Sequence, residues 1–383
     1  MKIGIIGVGI QGQALAMILS KIRNTDSLVV IDNNPQNIQA VMRSLENANI
    51  EGYCLDVNDT KQVEEKLYDC KILYDMLTPE FAITVMKLAL KIHSHYINTA
   101  FDVPYWTALL NNEKLPLQDE FEAAGLIALM GCGDSPGLVN VFIKKYCDKL
   151  DTVSDIKIYG AYKKNSSDIF NGWNPGWSIK QAYLDFVTKP IIYRNGCFIM
   201  LPPFSEREWK NIYTYGMKEL SLHSHEECYS LPRTIRKGIQ NCEFKYEIDT
   251  FAAVLYNCGF RLGEQIEIES HKVSAVSCLM DVFENAKTNT VFNDNDEYCT
   301  TIEIVGTVGQ QEQKYTIILP PLYNDRVHTK KTFGTLKIDV ALPAAIGMCC
   351  LGDIVPGIHF AEELDPEHFE NILKQYIPYK EIV

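Results

Sequence analysis

"KIGIIGVGIQGQALAMIL", residues 2–19, decides how the first part of this 383-residue chain folds. It reads as a short apolar strand, Lys2 to Ile6, then a turn carrying Gly7, Gly9 and Gly12, then a helix whose apolar side runs through Leu15, Ile18 and Leu19. In this pattern the first glycine permits the tight turn, the second removes a side chain that would block a pyrophosphate, and the third lets helix and strand pack closely. Free N–H groups at the helix start, at Ile10 and Gln11, then receive the phosphates. Twenty residues after Gly12, "SLVVIDNNPQNI" is an apolar strand ending in Asp32. A carboxylate there accepts bonds from the adenosine ribose hydroxyls and repels a 2′-phosphate, and no Arg follows it in "DNNPQ", so NAD is expected over NADP.

Working outward, strands and helices alternate: Ile50–Val57 (strand), "TKQVEEKL" (helix), Lys71–Leu77 (strand), a helix with Pro79 in its first turn, "YINTA" (strand), a helix near 115–124 and "LIALMG" (strand). This rhythm predicts a doubly wound parallel sheet of Rossmann type, which binds ligands beyond the carboxyl ends of its strands. That rule selects Asp56 and Val57 near the adenine, Leu77, Thr78 and Pro79 along the dinucleotide, and Ala100, Phe101 and Asp102 near its nicotinamide end. It also selects a second glycine turn, GCGDSPG, at residues 131–137. That turn admits two readings. Asp134 or Ser135 caps the helix that follows, with Pro136 in its first turn, or the turn carries a functional carboxylate to the mouth of the cleft.

Composition narrows the class. With 46% hydrophobic and 22% charged residues the chain is ordinary for globular protein, long enough for two domains. No run approaches the ~18 apolar residues of a membrane span, and no cleavable leader opens the chain, so a cytoplasmic protein without a membrane role is expected. The 12 scattered Cys contain no CxxC pair and predict no disulfide framework. A net charge of −13 argues against nucleic-acid partners and suits a cationic small molecule such as a polyamine.

Five segments, in order, carry a resemblance: "YINTAFDVPYW", "AAGLIALMGCGDSPGLVNVF", "GWNPGWSIKQAYLDFVTKPIIYRNG", "HSHEECYSLPRTI" and the tail from "VALPAAIGMCC" to "NILKQY". Together the chain resembles the saccharopine dehydrogenase-like family, which includes saccharopine reductase, lysine 6-dehydrogenase and carboxynorspermidine dehydrogenase. The resemblance implies a Rossmann domain split in sequence (residues 1–135 and 340–383), with an α+β domain on a mixed or antiparallel sheet inserted at 136–339. It also implies NAD(P)-linked chemistry at a carbon–nitrogen bond of an amino-acid or polyamine-type substrate. A homodimer is expected. The chain departs from saccharopine-forming members, which have a Tyr where Phe101 stands, an Asp where Ser135 stands, and an R-Y-P-G segment that is missing here.

In the central region, "DIKIYGAY", "NCEFKYEI", "TTIEIVGTV" and "QKYTIILPP" alternate like strands of an antiparallel sheet, interrupted by one helix read over "EIESHKVSAVSCLMDVFENA". A domain inserted between two parts of another leaves a cleft for a small ligand. Trp173 and Trp177 are candidate walls for a cationic substrate, although Trp is more often core. In "HSHEECYSLPR", extended backbone puts His223 and His225 on one side. The metal reading of His223, His225, Glu226 and Cys228 lacks a fourth ligand pattern, and hydride transfer needs no metal, so none is expected. Asp102, Asp134 and His225 are the candidate proton handlers. Ser135 and Phe101 are expected near the substrate, and Arg233 to pair with a substrate carboxylate or stand in solvent. Two rival readings are a redox-neutral NAD-dependent aminoalkyl transferase like homospermidine synthase and a non-catalytic NAD-binding protein.

Overall fold

The computed structural model describes residues 1–22, 25–163, 179–285 and 297–383. Six strands come from the first third of the chain: β1 (Lys2–Ile6), β2 (Ser27–Asp32), β3 (Ile50–Cys54), β4 (Ile72–Asp75), β5 (His95–Asn98) and β6 (Ile127–Met130). Those of the middle of the sheet are apolar on both faces, as Ile3, Ile5, Ile6, Val29, Val30 and Ile31 show by being buried. Such strands need helices on both sides, which is the arrangement of an all-parallel sheet. With β17 (Gly357–Phe360) at one edge, the strand order is β17-β6-β5-β4-β1-β2-β3, with every pair parallel.

The edge strand β17 (Gly357–Phe360) follows ten further strands in sequence. The tail thus returns to the first sheet, and the helix Ala341–Cys350 before it, buried almost throughout, packs on the first helix, Ile10–Leu19. The Rossmann-type sheet is therefore split in sequence, as expected.

Between these parts lie β7 (Thr152–Lys163), β8 (Ile191–Arg194), β9 (Cys197–Met200), β10 (Glu208–Ile212), β11 (Gly216–Leu222), β12 (Asn241–Glu247), β13 (Gln265–Ile268), β14 (His271–Ser274), β15 (Glu297–Val308) and β16 (Gln311–Leu319). The main path is β10-β11-β12-β7-β15-β16, with β8 and β9 branching from β12. The sheet is mixed rather than antiparallel, because β12 runs parallel to β7. The 77 residues between them make the long crossover that a parallel pair requires.

Two readings of the sequence are corrected here. The strand expected over Ile50–Val57 stops at Cys54, where Asp56 accepts a bond from the Asn58 N–H at 2.8 Å and turns the chain. The helix expected from Glu267 begins only at Ala275. Before it stands the hairpin β13–β14, turned by Glu269 and Ser270 at φ 47° and 66°. The charged run Glu267 to Lys272 has no apolar helical face, so pairing of the two short strands prevails. Among the described residues no helix is long and apolar enough to cross a membrane.

Candidate active site

The first glycine turn leaves room where a dinucleotide needs it. A Cβ at Gly12 would stand 2.0 Å from the Gly7 carbonyl oxygen, so only glycine lets the helix approach the strand. A Cβ at Gly9 would meet nothing within 4 Å. The helix Ile10–Leu19 has no side chain capping its first turn, Ile10 is exposed, and the buried Gln11 Oε1 has no partner among the described residues. Uncapped N–H groups facing open space fit a phosphate.

The Asp32 carboxylate has partners inside the protein. It is 8% exposed, its Oδ1 accepts the Asn34 N–H, and its Oδ2 accepts the Val8 N–H (both 2.8 Å) and the Asn37 amide at 3.2 Å. The carboxylate thus clasps the glycine turn to the end of β2, and Asn33 is the exposed side chain beside it. Val57 is buried, Leu77 lies against Gly7, and Thr78 and Pro79 open a short helical turn at the end of β4.

The second glycine turn is closed. Gly133 N–H donates to the Pro136 carbonyl and Leu138 N–H to the Gly133 carbonyl, each at 2.8 Å, and a Cβ at Gly137 would stand 2.0 Å from the Gly133 oxygen. The helix that follows is Leu138–Cys147, and its start is served by Asn140, whose side chain accepts the Gly137 N–H at 3.0 Å. Neither Asp134 nor Ser135 caps it. A buried ladder beneath holds the turn in place: Asn98 accepts the Gly131 N–H at 2.8 Å and donates to the Tyr96 hydroxyl, which donates to Asp75, both at 2.9 Å. Burial pushes Asp75 up to about 6.

Freed from capping, the two side chains turn toward the inserted domain. The Ser135 hydroxyl donates to Glu227, whose other oxygen holds Nδ1 of His225. Glu227 is fully buried. The His225 ring stacks on Phe244 at 4.1 Å, and His223, two residues earlier, stacks on Tyr246 at 4.9 Å, so the two rings do share one side against alternate residues of β12. Their charges separate. Burial lowers His223 to about 3. Burial also opposes charge on His225, but Glu227, Glu226 and Asp185 outweigh it and raise His225 to about 9.

Three more acids converge here. Burial, reinforced by the charge of Glu226, raises Asp185 to about 7, while burial raises Glu226 to about 7 even though it accepts the Phe101 N–H. Asp339, raised to about 7 by burial, and Glu227 stand beside Asp134, which burial and these two charges push well above the usual carboxylate range. Tyr162, Tyr246 and Tyr298 form a cluster with ring centroids 5.1 to 6.0 Å apart, and the charge of Asp134 reaches Tyr162 and Tyr298. A buried acidic and aromatic cluster results.

Other expected site residues have different duties. Asp102 caps the helix Val103–Asn111, accepting the Val103 N–H at 2.6 Å. Phe101 is 1% exposed and packs on Phe360 at 4.9 Å; Ala100 beside it is half-buried. Arg233 donates to the carbonyls of Leu109 and Leu110 at 2.8 and 3.1 Å, with its plane over Phe198, so its fork is turned onto a helix end rather than into the cleft. Trp173 and Trp177 lie outside the described residues. The donor atoms of His225, Glu226 and Glu227 lie within 4.8 Å of one another, whereas Cys228 is outside that group and is a buried free thiol hydrogen-bonded with the free thiol of Cys242.

Glu227, Asp185, Asp339 and Glu362 escaped the sequence reading. Glu362, in the acidic stretch of the tail, is 1% exposed and accepts Asn140 and Thr234, each at 2.9 Å, tying tail, second turn and the His225 segment together. "EE" beside a helix start reads as solvated charge, and the bond between Glu227 and Ser135, 92 residues away, lies beyond the reach of local pattern.

Comparison with known proteins agrees with this architecture. Residues 3–129 match the family model of the saccharopine dehydrogenase NADP binding domain. A carboxyaminopropylagmatine dehydrogenase of Synechocystis is 22% identical over 100% of this chain and 98% of its own. Apo saccharopine dehydrogenase (L-Glu forming) of Saccharomyces cerevisiae superposes over the whole of both chains with a TM-score of 0.71 at 14% identity. Homospermidine synthase of Legionella pneumophila, solved with NAD, does so over 100% of this chain and 91% of its own, with a TM-score of 0.69 at 16% identity. Residues 3–129 thus resemble a saccharopine dehydrogenase NADP binding domain, and over its whole length the chain has the saccharopine dehydrogenase fold.

Proposed function

We propose that the chain is a nicotinamide-dependent oxidoreductase acting on the carbon–nitrogen bond of an amino-acid or polyamine-type substrate. The observation that carries this reading is the His225–Glu227 pair, buried at the cleft among Ser135, Asp134, Glu226 and Asp185. The nicotinamide, when bound, supplies the hydride donor or acceptor. The side chains supply the rest. With a pKa raised to about 9, His225 carries a proton at neutral pH. Its Nδ1 is held by Glu227, which leaves Nε2 to give a proton to an imine nitrogen during reduction or to take one back during amine oxidation.

The surrounding acids match an amine. Asp185, Glu226 and Asp339, raised to about 7, are part-protonated near neutral pH, and a cationic substrate would pull their pKa values down so that they ionise against it. Tyrosine faces add attraction for an ammonium group. The name of the Synechocystis relative supports the same amine-rich class. NAD is proposed over NADP because Asp32–Gln36 contains no Lys or Arg to pair with a 2′-phosphate; with Asp32 spent on the loop, the preference rests on that missing partner.

The test is an absorbance screen of the full chain with NAD(H) and NADP(H) against lysine, diamines and carboxylated polyamines, in both directions. Steady formation or consumption of reduced nucleotide is the expected result. Amine exchange without net nucleotide change would assign the cleft to aminoalkyl transfer instead, and a chain that only binds nucleotide would contradict both.

A further inference from the structure

Besides the group at His225, the described residues bring together a second set of metal-type donors, on the returning tail. Cys350 ends the helix Ala341–Cys350, Asp353 ends the short helical turn that follows, and His368 stands in the first turn of the last helix, Pro366–Tyr376. A thiol sulfur, a carboxylate oxygen and an imidazole nitrogen, one from each, lie within 4.8 Å of one another. Two residues separate Cys350 from Asp353, a spacing by which one tight turn supplies two ligands to a zinc ion.

The thiol is the member that ordinary packing leaves unexplained. Cys349 rests its Sγ against the Ala345 carbonyl at 3.8 Å, the contact one turn back that a helix offers to a small polar side chain. Cys350 is a free thiol with 0% exposure, and no hydrogen bond to its Sγ is found among the described residues. Its sulfur stands instead beside the pair made by His368 Nδ1 and Asp353 Oδ2, which are 2.6 Å apart. Those two side chains are 43% and 31% exposed, so the group has a buried sulfur and an open mouth, with a way in for an ion and room for water as a fourth ligand. Asp365 caps the last helix by accepting the Glu367 and His368 N–H groups, and its charge reaches the Cys350 thiol.

We propose that Cys350, Asp353 and His368 bind a zinc ion. Sulfur and imidazole select it over Mg²⁺ and Ca²⁺, which take oxygen ligands. On binding, the thiol releases its proton to solvent and the thiolate becomes a ligand. His368 Nδ1 and Asp353 Oδ2 then part from 2.6 Å to about 3.4 Å, the separation that tetrahedral bonds of ~2.0–2.2 Å impose. The ion joins the end of one helix to the start of another across residues 350–368, the stretch that carries β17 at the sheet edge and Glu362 on Asn140. Its role is structural, a latch on the tail.

Co²⁺ is the probe, because a thiolate ligand gives it a charge-transfer absorption that oxygen and nitrogen ligands do not. Titrated into the full chain with a non-thiol reductant present, Co²⁺ should raise that band to saturation at a single equivalent, and Zn²⁺ should displace it. Cys350→Ala should abolish the band. Asp353→Asn and His368→Gln should weaken Zn²⁺ binding by about 100-fold or more, the upper end of what loss of even an outer partner costs, whereas Cys349→Ala should change nothing. Zn²⁺ at about 100-fold over its dissociation constant should raise Tm by about 3 °C in the wild type and in none of the three ligand variants. Absence of the band, a band that survives Cys350→Ala, or Zn²⁺ affinity unchanged in His368→Gln would each overturn the proposal.

Discussion

The two glycine turns look alike in sequence and do opposite things. Each follows a parallel strand and precedes a helix. At Gly7–Gly12 the Gly7 and Val8 amides are bonded within the protein, but the helix start is uncapped and Gly9 faces open space, so the amides of that start are left for a ligand. At Gly131–Gly137 the amides of Gly131, Cys132, Gly133 and Gly137 are consumed inside the protein, by the Asn98 side chain and carbonyl, the Pro136 carbonyl and Asn140, and Gly133 and Gly137 press together with no room for a ligand between them. The closed turn offers side chains instead, Asp134 and Ser135. A glycine-rich turn binds phosphate when its N–H groups are free and displays side chains when they are spent.

Substitutions that separate packing from binding should break the comparison most strongly. Gly137→Ala adds a Cβ 2.0 Å from backbone at φ 138°, and should cost ~4 kcal/mol or more, seen as lost soluble expression or a large fall in Tm with or without nucleotide. Gly9→Ala meets no protein atom within 4 Å. It should keep its Tm and bind NAD about 10- to 100-fold more weakly, because the added methyl stands where the pyrophosphate approaches. Equal thermal losses in the two variants would mean that the turns are not different in kind.

The next effect is catalytic. His225→Gln or Glu227→Gln should lower turnover by ~10²- to 10⁴-fold at nearly constant nucleotide affinity. In the imine-reducing direction, the wild-type rate should fall as pH rises through about 9, where His225 loses its proton, and Glu227→Gln should move that limb to lower pH. The same raised pKa stabilises the fold: the contribution is full below the unfolded value of 6.5 and disappears as pH rises through about 9. A flat profile across that range would remove His225 from the proton path.

The smallest effect concerns the first turn alone. Because Asp32 holds the Val8 N–H, Asp32→Asn should weaken NAD and NADP together by a similar factor, about 3- to 10-fold for one weakened charged hydrogen bond, with little change in their ratio. A selective gain for NADP, seen by comparing the two dissociation constants, would restore Asp32 to ribose discrimination.

Much of the fold is legible in the sequence because its signals are local. The glycine spacing, the doubly buried strands and the small-residue helix Ala341–Cys350 each announce themselves within twenty residues. The site is less so. Asp134 and His225 are readable as reactive types, but their meeting depends on Glu227, a partner that only the closure of the inserted domain onto the second turn provides. Asp185 and Asp339 lie far apart in the chain and reach the cleft from separate elements. Pairings between distant segments are equally invisible to local pattern: Asp32, at the end of its strand, also holds the Val8 N–H, and the Arg233 guanidinium donates to the Leu109 and Leu110 carbonyls.

Asp134→Asn measures the central claim most directly. The helix after the second turn is capped by Asn140, so the substitution has no capping bond to break and its packing is unchanged in size. Steady-state turnover and NAD affinity are to be measured on the same preparation. If the closed turn exists to present a carboxylate, turnover falls by ~10²-fold while the NAD dissociation constant stays within about 2-fold, since the proposed phosphate site is the first turn. Full activity in Asp134→Asn would contradict the account and leave the second glycine turn as a crossing between domains.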